Sequence, residues 1–488
     1  PETRFLMRAR VVQGEKPTFR GDTMKRVMRR AGLVTALAVV AGLTGTSAAS
    51  AATINVTTTV DEFGSGSRCS LREAIWSANN DSIAEAPGCK LGSGNDTVIV
   101  PGGVFKLTKN NVVPELPALP TVGEDLGATG DLDITTPVRV IHTGINAAHV
   151  TSRVNDERVF HVFGTGVVLQ GLTITGGFSG IEGSDHGGGI LNEGVLTVKN
   201  STITDNGATY GGGISTNGTS ELTVVNSTVS GNTAAADGGG ISVETDGVAK
   251  LRSSTIADNT ADVNGSGGGD GGGIFSTTAG AGGIIDLRNT IVAANRDAGG
   301  EADDCARLGG TITSLGHNLI GNANGCDYGA AAGDIINRKA QMTPLGYTGG
   351  PTETHALKLI SPAVDKGVAC PKTDQRGVTR TKCDIGAWEL GFCQGAVINR
   401  IGTESADLIE GTAGRDGILG LGGQDTLNGL SGNDGLCGGN GPDTLSGGAG
   451  KDKLDGGNGR DECLGGAGKN TVVKCELPRK KKPGKKRR

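Results

Sequence analysis

Aliphatic residues recur every nine positions toward the end of this chain: Ile409, Ile418, Leu427, Leu436, Leu445 and Leu454, with Cys463 and Val472 continuing the series. That interval predicts a stack of very short strands, each turning one aliphatic side chain into a thin core. A second, looser pattern occupies residues 165–300. The segments GLTITGG (171–177), NSTITDN (200–206), NSTVSGN (226–232), SSTIADN (253–259) and NTIVAAN (289–295) alternate as strands do, at spacings of 29, 26, 27 and 36 residues. Between them GGGI recurs at 187–190, 211–214, 238–241 and 271–274. Periods of this size predict a solenoid in which Ile203, Val229, Ile256 and Val292 hold one equivalent position.

The polar positions of the nine-residue period carry chemistry. Residues 402–473 read as eight back-to-back nonapeptides with glycine favoured at positions one, two and four. Position six is Asp407, Asp416, Asp425, Asp434, Asp443, Asp452 and Asp461, then Asn470. Glycine permits a tight turn with positive φ, which turns carbonyl oxygens inward beside that carboxylate. Ca2+ is a hard cation that takes six to eight oxygens, so one turn cannot satisfy it. Two nonapeptides make one coil, and an ion between stacked turns shares two sets of oxygens, allowing about six sites. The pattern G-G-x-G-x-D-x-U-x resembles the hemolysin-type (RTX) calcium-binding repeats. The resemblance implies a calcium-loaded parallel β-roll with the seven aspartates as metal ligands. The first repeat lacks two glycines and Asn470 replaces the last aspartate, as in capping repeats. A glycine-rich spacer is the alternative, but a spacer has no reason to keep an aliphatic residue at position eight. GAGK (448–451 and 466–469) lacks the Ser or Thr of a phosphate loop and fits the nonapeptide register instead.

In the solenoid, Asn206, Asn232, Asn259 and Asn295 end their strands and can form an asparagine ladder at stacked turns. Asn200, Asn226 and Asn289 offer a second ladder, interrupted by Ser253. Ahead of the solenoid, CSLREAI (69–75) predicts a short helix with a Ser70–Glu73 capping box and an apolar face of Leu71, Ala74, Ile75 and Ala78 to cover the open end. These features resemble secreted bacterial β-helix proteins of the pectate-lyase-like fold. SPAVD (361–365), DQRG (374–377) and DIGAWE (384–389) resemble the choice-of-anchor Q module, which commonly closes such helices. The expected fold is all-β, a right-handed parallel β-helix followed by a calcium-binding parallel β-roll. Its expected parts are 1–51 (upstream segment and signal peptide), 52–130 (cap and first strands), 131–330 (β-helix), 331–398 (closing module), 399–475 (β-roll) and 476–488 (basic tail).

Composition adds the setting. With 87 glycines in 488 residues and 3% aromatics, bulky residues are too few for an ordinary globular core, which suits stacked rungs. Lys25, Arg26, Arg29 and Arg30 precede an apolar run (31–43) and the small-residue site 49–51, the layout of a secretory signal peptide with Met24 as its natural start. Without residues 1–51 the chain keeps 37 basic and 48 acidic residues, a net charge of −11. All ten cysteines lie beyond that segment, and an even number in an exported chain argues for disulfides. Sequence proximity pairs Cys69–Cys89, Cys305–Cys326, Cys370–Cys383 and Cys463–Cys475, leaving Cys393–Cys437. No C-x-x-C occurs to favour zinc. The tail RKKKPGKKRR (479–488) is electrostatically sticky, and anionic wall polymers or glycans are its expected partners; the acidic body argues against a dedicated nucleic acid.

Catalytic signals are weak. Lys199, Arg252 and Arg288 share a rung position that Val225 interrupts, with no recurring acidic cluster beside them. Asp205 and Asp258, the best carboxylate pair, sit where turn formation explains them. The six histidines are scattered, and neither HExxH nor G-x-S-x-G occurs. The expectation is therefore no enzyme and no catalytic residue: a secreted or cell-surface calcium-binding structural or adhesion protein without a transmembrane anchor. The competing reading is an extracellular polysaccharide lyase or other carbohydrate-active β-helix enzyme with a calcium-stabilised C-terminus.

Overall fold

The computed structural model describes residues 51–109, 130–152, 157–180, 186–263, 265, 270–277, 282–300, 303–327 and 329–476. The signal-peptide pattern and the basic tail lie outside the described residues. Within them the chain is nearly all-β, with one α-helix, Leu71–Asn80. Strands stack in parallel into two nine-stranded sheets, one of seven and one of five, and the middle rungs add a strand to all four. This is a parallel β-helix, and a β-roll of five- and four-stranded sheets follows it.

Aliphatic columns hold the helix together. In the first sheet Ile54, Val98, Val140, Leu169, Val198, Val224, Leu251 and Leu287 stand in register, all with no solvent exposure. In the second, Val150, Ile174, Ile203, Val229, Ile256, Val292 and Ile320 do the same. Each fully buried side chain of this kind contributes about 1.5–3 kcal/mol, so β-branched stacking replaces the aromatic core that the composition denies.

The asparagine ladder forms as the spacing predicts. Nδ2 of Asn206, Asn232 and Asn259 each donates to Oδ1 of the next at 2.9 Å, and the backbone N–H of the same residue donates to that same oxygen at 3.0–3.1 Å. Asp304 ends the series, its Oδ1 accepting from both N and Nδ2 of Asn295. The second ladder does not form. Asn200, Asn226, Ser253 and Asn289 do share a left-handed corner with φ between 49° and 51°. There, however, Asn226 donates to the Thr373 carbonyl at 2.7 Å and Asn289 to that of Val368 at 2.8 Å.

Those bonds belong to a strap. Residues 343–390, within the segment 331–398 expected from sequence as a closing module, lie along the outer face of the second sheet. That face is rich in hydroxyls, and the strap satisfies them: Thr202 donates to the Glu353 carbonyl, Thr228 to Gln375, and Thr255 accepts from Ala387 N–H. At the opposite end of the chain the helix Leu71–Asn80 covers the first rung. Its capping box is present, and Leu71, Ala74, Ile75 and Ala78 are buried. Buried Arg72 ties Asp61 to the carbonyls of Gly130 and Asp131, while Asn79 bonds that of Asp133. The strand Leu132–Ile134 is the edge of its sheet, so these side chains meet carbonyls at an otherwise open edge.

All five disulfides pair as sequence proximity indicates. Cys393–Cys437 joins the end of the strap to the roll. Among the described residues no helix is long and apolar enough to cross a membrane.

Candidate metal centre

In the roll every strand pairs with the one 18 residues on: Ile409, Leu427, Leu445 and Cys463 form one column, Ile418, Leu436, Leu454 and Val472 the other. Two nonapeptides therefore make one coil, and turns alternate between two edges. From residue 420 onward positions two and four of each turn have positive φ, as at Gly448 (93°) and Gly450 (146°). A side chain at Gly450 would also strike the Gly432 carbonyl of the coil before.

The position-six aspartates stack into one column on each edge. Oδ1 of each accepts the backbone N–H of its counterpart one coil earlier, at 2.9 Å for Asp425, Asp434, Asp443 and Asp461, and at 3.0 Å for Asp452. Oδ2 turns to the glycine at position one. A Cβ on Gly429 would lie 2.7 Å from Asp434 Oδ2 and 2.7 Å from the Gly447 carbonyl oxygen of the next coil. At Gly447 the same distances are 2.6 Å to Asp452 Oδ2 and 2.8 Å to the Gly465 carbonyl. A carboxylate oxygen and a carbonyl oxygen thus converge on a pocket that only glycine leaves open.

Oδ2 of Asp425, Asp434, Asp443, Asp452 and Asp461 is buried and has no hydrogen-bond partner among the described residues. Burial, followed by like-charged neighbours such as Asp443 and Asp407, pushes the Asp425 carboxyl up to about 6, and Asp434 and Asp443 are raised in the same way. Stacked, acceptor-only, desolvated oxygens are the donor set of a hard cation.

Residues 401–436 and 438–472 match the RTX calcium-binding nonapeptide repeat family, in four copies. No curated protein matches the chain. The RTX repeats make this a calcium-binding protein.

The seven aspartates singled out in the sequence all reach equivalent places in the RTX roll, but two differ in their partners. Oδ2 of Asp407 accepts from Thr403 N and Oγ1 at 2.5 and 2.9 Å, and that of Asp416 from Thr412 N and Oγ1 at 2.6 and 2.9 Å. The signal was visible as Thr in place of Gly at position two of the first two RTX repeats.

Outside the RTX roll the structure assembles a group that the sequence did not reveal. Asp131, Asp133 and His161 bring their ligand atoms within 4.8 Å of one another, all buried. Arg158 Nη1 lies 3.5 Å from Asp131 and 3.3 Å from His161 Nδ1, and His161 Nε2 lies 3.2 Å from Glu193. Burial first, then Arg158, lowers the His161 pKa to about 3, so the ring is neutral and the guanidinium supplies the positive charge of the group. These residues come from three rungs with no repeat linking them. Asp205 and Asp258 do not converge: Gly231 lies between them on the intervening rung, and both take left-handed corners, with φ of 55° and 56°. Asp258 lines a cavity of about 670 Å³ with His355, Asp303, Asp304, Lys339 and Lys358, from which Asp205 is absent. Lys199, Arg252 and Arg288 fall in one outward column, where Arg252 donates to the Asp286 carbonyl at 2.7 Å.

Proposed function

We propose that this protein is an exported structural protein whose C-terminal roll folds around Ca2+, with the β-helix as a rigid, non-catalytic surface. The observation that carries the reading is the set of five buried, unpartnered Oδ2 atoms. Breaking a buried ion pair so that one charge is left alone costs about 3–5 kcal/mol, so five such oxygens in two columns oppose the fold until a cation arrives. Asp425, Asp434, Asp443, Asp452 and Asp461 hold the ions on this reading, with turn carbonyls beside them. Asp407 and Asp416, already bonded by threonine, serve as metal-independent caps. Extracellular calcium modules work at roughly 10⁻⁴–10⁻³ M, which keeps such a roll unfolded in a calcium-poor cytoplasm and orders it outside.

Export is supported by the signal-peptide pattern and by ten cysteines joined in five disulfides, which persist in oxidising compartments. Retention at an anionic cell surface is the role proposed for the basic tail. The test is a calcium titration of the mature chain followed by circular dichroism and calorimetry. Gain of β-structure with several ions bound supports the reading, and an unchanged spectrum at ten-millimolar calcium with no heat of binding overturns it.

A further inference from the structure

The eight nonapeptides end at residue 473, and the matched repeats at 472. The roll does not. Position one of a ninth repeat would be residue 474, and Lys474 takes a left-handed conformation there, with φ 48°. Its carbonyl oxygen stands over Gly456 as the Gly465 carbonyl stands over Gly447, and a Cβ on Gly456 would lie 2.6 Å from Asp461 Oδ2. Asp461 is 2% exposed, and its Oδ2 is one of the buried oxygens without a partner.

The missing ninth aspartate is replaced from an unexpected position. In the coils before, the N–H of each position-six residue donates to the side-chain oxygen of the Asp or Asn 18 residues on, as Asp443 N does to Asp461 Oδ1 at 2.9 Å and Asp452 N to Asn470 Oδ1 at 2.8 Å. Asp461 N donates instead to Glu476 Oε2 at 2.6 Å, only 15 residues on, and Glu476 N returns a bond to the Asp461 carbonyl at 2.8 Å. The longer glutamate side chain spans the shortened turn. Cys463–Cys475 fixes that turn against the preceding strand. The Lys474 ammonium is held away from the pocket by Asp455, 3.4 Å from its Oδ1, so it does not neutralise the carboxylates.

We propose that the calcium position of Asp461, the last in the roll, is completed by Lys474 O and Glu476, residues outside the repeat pattern, and depends on the Cys463–Cys475 disulfide. This rests on the calcium reading above and adds a ligand set from non-repeat residues. The experiment counts calcium ions on the full mature chain by isothermal titration calorimetry, with calcium alone as the ligand. Wild type is compared with Glu476→Gln, Glu476→Ala, Asp461→Asn and the Asp461→Asn/Glu476→Gln double variant, and circular dichroism verifies the fold of each.

The expected result is one ion fewer for each single variant, and the same single loss for the double variant because both residues serve one site. Cys463→Ser/Cys475→Ser should lose that ion too. An unchanged count and affinity in Glu476→Ala overturns the terminal site while leaving the other positions standing. A wild-type chain that binds no calcium overturns the underlying reading instead. A disulfide variant that keeps its full count removes the dependence on the clamp. If Glu476→Ala loses β-structure, Glu476→Gln decides, since it keeps an acceptor oxygen for Asp461 N–H and removes only the charge.

Discussion

Asp443 and Asp425 stand one coil apart, and Oδ1 of Asp443 accepts the Asp425 N–H at 2.9 Å while its Oδ2 is buried without a partner among the described residues. One carboxylate therefore has two separable duties. Asp443→Asn keeps an oxygen for Asp425 and removes a buried charge. In chelator it should be more stable than wild type by about 1 kcal/mol, and it should gain less from added calcium. Asp443→Ala loses both duties and should be less stable under both conditions. Thermal melts with and without calcium check this; equal behaviour of the two variants would contradict it.

Thr412 supplies to Asp416 what a cation supplies further along. Thr412→Val removes the Oγ1 bond and leaves the N–H bond in place. A loss of about 1 kcal/mol is expected, with no change in the number of calcium ions bound. Chemical denaturation at saturating calcium and a parallel calorimetric count measure the two halves of this prediction.

Asn259 is fully buried, and its Nδ2 donates to Val229 O, Ala257 O and Asn295 Oδ1. Asn259→Ala strands those acceptors together with the Asn232 donors. A destabilisation of about 3 kcal/mol is expected from interrupting a buried network, read as a lowered denaturation midpoint with calcium held constant.

The corner residue Asp237 gives a pH dependence. Burial, then Asp270, Glu244 and Asp297, raise its pKa from 3.8 to about 6. The folded chain therefore binds this proton more tightly than the unfolded one. The stabilisation is complete below about pH 4 and is lost as pH rises through 6. Asp237→Asn keeps the oxygen that accepts Asp270 N–H at 2.8 Å. After allowance for solvent screening it should exceed wild type by about 1 kcal/mol at pH 7 and match it at pH 4. Melts of both chains at the two pH values, in chelator, would reveal a constant difference if the reading were wrong.

Much of this architecture was legible because a solenoid repeats its instructions. The column through Ile203, Val229, Ile256 and Val292, the asparagine ladder and the 18-residue coil all follow from spacing alone. What escaped the sequence comes from contacts made once. Asn226 and Asn289 carry the same residue at the same corner as a ladder would, yet the strap supplies nearer acceptors at Thr373 and Val368. Arg72 is hidden inside a helix motif read for its apolar face, although its guanidinium is what reaches the open edge. Glu476 breaks the period by three residues, so a strict register passes over it. Asp131, Arg158 and His161 meet only after two rungs have stacked.

The covalent topology also sets how the roll bears load. With Cys393 joined to Cys437 and Cys463 joined to Cys475, a pull on the C-terminus bypasses the loop 394–436 and the loop 464–474. Within the roll only the stretch from 437 to 463 can lengthen, to a span of roughly 90 Å if fully extended. That stretch carries Asp443, Asp452 and Asp461. Tension would therefore be felt first at the turns that carry these aspartates, so the calcium concentration around the protein would determine the force at which it yields.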